Sequence, residues 1–252
     1  MSKNESIKIK KEFPKSDFLK EMPFNFCDRW CERCIHKDRC KVYQREFAAR
    51  FSHIAKGEDP DDPDIFLQDI KKRFKRATKL LEKNLKKSKV ESKKLKKETI
   101  SQNKIEEKAV NVSLYKEAHI FTLKSSSFLK RIFIEYESSD EEIIDFKGAI
   151  EDYNWYYSFF LVKLHRALIG QSYAGLVKDK DEKEFNLKDA NCSAKLSYAS
   201  LFVCHKSLKK LSQECLGFRK WAKELHILSK SLLEKIETKF PEMNQAKIIF
   251  HG

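Results

Sequence analysis

The chain has 252 residues, 41% of them hydrophobic and 12% aromatic, enough to enclose a core and too much for a disordered chain. Glycine (6) and proline (5) are scarce, and no proline falls between Asp64 and Phe240. That excludes the repeated tight turns of a β-sandwich or barrel and makes an all-α fold the expectation: a four-helix core with two leading helices and an N-terminal cysteine-rich segment. The formal charge of +14 is concentrated, because residues 70–98 hold fourteen Lys or Arg against three acids, a local excess of 14 − 3 = +11.

MSKNESIKIKKEF holds no apolar run of signal-peptide length, and no stretch approaches the roughly 18 uncharged apolar residues of a membrane span. A soluble, cytoplasmic protein is expected. Of seven cysteines, Cys27, Cys31, Cys34 and Cys40 are bunched, while Cys192, Cys204 and Cys215 stand apart. That distribution suits a reducing compartment better than a disulfide framework.

Residues 1–23 read as a loose polar leader. Residues 24–57 combine the cysteine segment with a helix capped by Asp38, running through Tyr43, Phe47 and Phe51 to a stop at Gly57. After the linker EDPDDPD, Asp62 as N-cap and Pro63 at the first helical position open an amphipathic helix over 62–98. Its stripe of Leu67, Ile70, Phe74, Ala77, Leu81 and Leu85 is expected to pack, before giving way to a lysine-rich arm.

The core is expected over 105–240, followed by a tail at 241–252. Its first helix, 105–136, places Val112, Tyr115, His119, Thr122, Ser126, Leu129, Phe133 and Tyr136 at heptad spacing. Ser139 with Glu142 then forms a capping box for a helix over 140–170, striped by Ile143, Ile150, Asn154, Tyr157, Leu161, Leu164 and Leu168 and ended by Gly170. A polar link through Asp179–Glu184 leads to a third helix, 189–215, with Ala194, Ser197, Leu201, Cys204, Leu208, Leu211 and Cys215. The fourth, 218–239, uses Phe218, Trp221, Leu225, Leu228, Leu232 and Ile236, and Pro241 stops it.

The cysteines carry the most specific chemistry. In FCDRWCERCIHKDRC the thiols of Cys27, Cys31, Cys34 and Cys40 are close enough in sequence to converge on one soft metal centre, a [4Fe-4S] cluster or zinc, with His36 as a substitute zinc ligand. CERCIHKDRC resembles the C-x2-C-x5-C tail that binds a [4Fe-4S] cluster in endonuclease III-like glycosylases and in iron–sulfur nuclease domains of recombination helicases. The resemblance implies Cys31, Cys34 and Cys40 as three ligands and Cys27 as the fourth. It stops at this segment: the glycosylases' helix–hairpin–helix and the nucleases' acidic β-sheet have no counterpart here. Cys27, Cys31 and Cys34 are also similar to the C-x3-C-x2-C triad of radical S-adenosylmethionine enzymes, whose β/α barrel does not match a helical remainder. The whole segment resembles one found in uncharacterised bacterial helical proteins.

A second candidate lies in the bundle. From about 1.5 Å of rise per residue, His119, His205 and His226 fall at heights of roughly 21, 24 and 25 Å, with Asp152 near that level, whereas His165 falls at roughly 8 Å. Three imidazoles and a carboxylate at one level could hold a metal and serve a metal-dependent or redox enzyme.

The basic arm comprises Lys71, Lys72, Arg73, Lys75, Arg76, Lys79, Lys83, Lys86, Lys87, Lys89, Lys93, Lys94, Lys96 and Lys97. It could bind nucleic acid through counterion release, an acidic protein or an anionic membrane surface, or simply face solvent. No Ser or Cys nucleophile with a base and no phosphate-cradling glycine loop is legible. A non-catalytic, redox- or iron-responsive metal-binding module is the leading reading.

Overall fold

The computed structural model describes residues 26–88, 103–138, 146–214 and 217–252. Among these every regular element is helical: α1 (Lys41–Ile54), α2 (Pro63–Ser88), α3 (103–111), α4 (Ser113–Ser138), α5 (Lys147–Ala174), α6 (Lys180–Glu214) and α7 (Arg219–Lys239). Three 3-10 turns, Cys31–Arg33, Lys37–Arg39 and Met243–Gln245, complete the set. No helix among the described residues is long and apolar enough to cross a membrane. The chain divides into two compact units, Met1–Trp30 with Ile105–Gly252, and Cys31–Lys104.

In the first unit α4 packs on α5 and α7, and α6 packs on the same two helices, which closes a four-helix ring. The link from α5 to α6 spans only 175–179, too short for anything but antiparallel neighbours. The α6 stripe behaves as its periodicity requires: Ala194, Ser197, Leu201, Cys204, Leu208 and Leu211 are all buried. Cys215 lies outside the described residues, as do the leader at 1–23, the Ser139–Glu142 capping box with Ile143, and Lys89, Lys93, Lys94, Lys96 and Lys97 of the arm.

Five expectations need correction. The α4 stripe is displaced by about one residue, or roughly 100°. Leu114, Ala118, Phe121, Ser125, Phe128 and Ile132 are buried, whereas His119 and Phe133 are exposed; of the expected stripe Leu129 is buried too. Both sets are periodic; the observed one alternates Ala118 and Ser125 with Phe121 and Phe128, and Ser125 turns its hydroxyl onto the Phe121 carbonyl at 2.7 Å and accepts from Tyr153 at 2.6 Å.

Gly170 does not end its helix. It sits inside α5, where a Cβ would meet the Ala190 Cβ at 3.1 Å and the Asn186 carbonyl oxygen at 3.3 Å, so it is the point of close approach to α6. The polar stretch at 180–184 is already helical: Asp179 accepts from the Glu182 N–H at 2.9 Å and caps α6 nine residues before its expected start.

The last two corrections fall in the second unit: the α2 stripe does not pack, since Leu67, Phe74, Ala77 and Leu81 are exposed, and α1 is capped by a different residue. Asp38 lies in a 3-10 turn instead of capping α1, and Cys40 holds the N-cap position with extended backbone. α2 starts as expected, with Asp62 accepting the Asp64 N–H at 2.7 Å and its carbonyl accepting the Phe66 N–H at 3.0 Å. Gly57 takes φ +75° after α1, the left-handed turn that glycine adopts without strain. The turn is tied by Arg50, bidentate to Asp61 at 2.7 Å, and by His53, bonded to Glu58 at 2.6 Å and Asp69 at 2.9 Å. These two carboxylates hold the His53 pKa above its ordinary value.

Candidate metal centre

The cysteine segment begins in the first unit. Phe26 is buried, and Cys27 forms an isolated parallel bridge with Ile249: the Ile249 N–H donates to the Phe26 carbonyl at 2.8 Å and the Asp28 N–H to the Ile249 carbonyl at 3.2 Å. The next residue, Asp28, is a fully buried carboxylate. Such a charge is tolerable only when its lone pairs are filled. Here one oxygen accepts from the Tyr156 hydroxyl and the His251 N–H, each at 2.7 Å. The other accepts from His251 Nδ1 at 2.7 Å and from the Trp30 N–H at 3.3 Å. A carboxylate can only accept, so the His251 proton sits on Nδ1.

Indole and phenol rings close this anchor. Trp155 donates from Nε1 to the Asp28 carbonyl at 3.2 Å, Trp30 stacks on Trp155 at 5.1 Å, and Phe250 stacks on Tyr156 at 5.0 Å. Arg29, between Asp28 and Trp30, has φ +58°, a left-handed conformation uncommon outside glycine. Lys163, nearly buried on α5, is pulled down to about 8 by desolvation, with Cys27 opposing the shift. Sequence reasoning missed Asp28, Tyr156, Lys163 and His251. Only the position of Asp28 inside the cysteine segment hinted at them, since its His251 partner is 223 residues away.

Cys31, Cys34 and Cys40 belong to the second unit. Cys31 opens one 3-10 turn, whose carbonyl accepts the Cys34 N–H at 3.1 Å, and the Cys34 sulfur accepts the His36 N–H at 3.4 Å. The Lys37–Arg39 turn ends at Cys40, whose N–H donates to the Lys37 carbonyl at 3.0 Å. All four clustered cysteines are half-buried. By contrast Cys192 and Cys204 are buried; desolvation raises the Cys192 thiol to about 11 and Cys204 well above its ordinary value, so both stay protonated. Among the described residues no three His, Cys, Asp or Glu side chains are grouped closely enough to hold a metal ion.

Of the bundle quartet, the structure joins two members. His205 and His226 stack at 4.1 Å. Ser229 donates to the His226 carbonyl at 2.7 Å, so the 2.9 Å contact with His205 Nδ1 makes that nitrogen the donor. Burial first, then the neighbouring His226 and the cations Lys209 and Lys230, pull His205 down to about 4; burial and the same two cations lower His226. His119 instead lies on the exposed side of α4, stacked on Tyr115, whose ring also meets His165 at 5.1 Å. Asp152 is half-buried on α5.

Lys71, Lys72, Arg73, Lys75, Arg76, Lys79 and Lys83 are exposed along α2; the side chains of Lys86 and Lys87 lie outside the description. The regular elements of the described residues are thus all helical, with a four-helix core to which Asp28 ties the chain next to Cys27. No family model matches the chain, and no curated protein or solved structure matches it.

Proposed function

We propose that this chain is a non-catalytic helical metal-binding module in which Cys27, Cys31, Cys34 and Cys40 ligate a [4Fe-4S] cluster, with zinc as the alternative centre, and that the metal state governs binding of a partner. The supporting observation is the segregation of the cysteines. The four clustered thiols are half-buried, Cys27 in a short bridge and the others on turns and at a helix start, while Cys192 and Cys204 are buried as protonated core thiols. Two local features favour thiolate at Cys34 and Cys27. The His36 N–H already points at the Cys34 sulfur, and the positive charge of Lys163 acts on Cys27. A cation bound by four thiolates offsets their mutual repulsion, and its binding energy adds to stability.

The test is anaerobic purification followed by a visible spectrum and a count of iron, sulfide and zinc per chain. A brown protein with broad absorption near about 400 nm and about four irons supports the cluster. A colourless protein with one zinc keeps the module and changes its centre to a structural one. Wild-type protein that is folded and free of both metals overturns the proposal, as does unchanged metal content after Cys34→Ser together with Cys40→Ser.

A further inference from the structure

α2 carries an apolar face that the fold leaves open. At about 100° per residue, Phe66, Leu67, Ile70, Phe74, Ala77 and Leu81 fall within a sector roughly 100° wide. Ile70 is half-buried, and the other five are exposed, Phe74 at 70% and Leu81 at 61%. Exposed apolar residues scattered singly need no explanation, but a continuous sector over four turns does. The opposite face is cationic. Between Pro63 and Asn84 there are seven Lys or Arg and three acids, and Asp69 among the acids is engaged by His53. Lys72, Lys75, Arg76, Lys79 and Lys83 point away from the apolar sector, while Lys71 and Arg73 border it on either side, where long aliphatic stems can lie along an apolar surface and keep their charges in water.

We propose that α2 is an interfacial helix that seats this apolar sector at the headgroup–acyl boundary of an anionic lipid bilayer, lying in the plane of the surface. A lipid surface satisfies both faces at once: acyl chains take up Phe66, Leu67, Phe74 and Leu81, and anionic headgroups meet the flanking and outer cations. A nucleic acid would engage only the cations and leave four large apolar side chains in water. A second copy of the chain would cover the apolar sector but bring two helices of like charge together. Charge complementarity therefore selects the anionic bilayer.

The experiment is co-sedimentation of the full chain with vesicles of phosphatidylcholine alone or of equimolar phosphatidylcholine and phosphatidylserine. Binding is expected to the mixed vesicles and to fall by about a hundredfold or more on phosphatidylcholine alone, since several cations contribute near the surface. Phe74→Ser with Leu81→Ser, both at exposed positions, should weaken partitioning by about tenfold or more at unchanged helicity. Lys75→Gln with Lys79→Gln should weaken it on mixed vesicles only. Equal binding by the Phe74/Leu81 double variant overturns the proposal. So does an absence of vesicle binding, whether the protein is instead retained on duplex DNA or RNA with strong salt dependence or forms a dimer in sedimentation velocity that the Phe74/Leu81 substitutions dissolve.

Discussion

Replacing Asp28 by Asn keeps the side chain's shape and removes only its charge and half of its accepting capacity. Four donors converge on this carboxylate: the Tyr156 hydroxyl, the His251 N–H, His251 Nδ1–H and the Trp30 N–H. The least costly placement puts the new amide nitrogen where the Nδ1–H now donates. The His251 ring can then shift its proton to Nε2 and accept, but the Trp30 N–H at 3.3 Å is left facing another donor. On the other side the Tyr156 and His251 N–H bonds survive against a neutral oxygen, at about half the strength of charge-assisted ones. With the orphaned Trp30 donor costing about 1–3 kcal/mol and two charge-assisted bonds of about 1.5–3 kcal/mol each falling to about half, the expected loss is about 2.5–6 kcal/mol. Urea unfolding, followed by far-ultraviolet circular dichroism and by the fluorescence of the stacked Trp30 and Trp155, measures it. Tyr156→Phe, which removes one donor and leaves the charge, should cost less. A loss below about 0.5 kcal/mol for Asp28→Asn would mean that water reaches the carboxylate and that the anchor contributes no more than an exposed ion pair.

Two further predictions come from the bundle. His205 titrates near 4 in the folded protein and near 6.5 when unfolded, so the unfolded chain binds more protons between those values and stability falls as the pH drops from about 6.5 toward 4. Because the imidazole is only half-buried, the loss should be about 1–2 kcal/mol after solvent screening. Urea midpoints measured across that range should show this slope, and its persistence in His205→Gln would refute the assignment. Gly170→Ala raises helix propensity by about 1 kcal/mol but sets a methyl 3.1 Å from the Ala190 Cβ and 3.3 Å from a backbone carbonyl. Neither neighbour is a flexible side-chain end, so overpacking of about 1–3 kcal/mol should win and lower the melting temperature. A more stable variant would show that α5 and α6 can separate there without loss.

Periodicity and capping chemistry were enough to read the helical class, the Asp62–Pro63 start of α2 and the buried stripe of α6 from Ala194 to Leu211, because each depends on residues within a turn or two of one another. The cysteine spacing is likewise local and defines the metal-binding proposal without help from the fold. Where two periodic sets competed, as on α4, local pattern could not choose; small residues facing neighbouring helices decided for Ala118 and Ser125 and left His119 outside. Gly170 has the same ambiguity, since glycine permits both a helix end and a close crossing, and only the position of Ala190 shows which one holds. Asp28, Tyr156 and His251 lie too far apart in the chain for spacing to connect them. It takes the folded bundle to bring a carboxylate and its donors together, because only burial makes each of those hydrogen bonds obligatory.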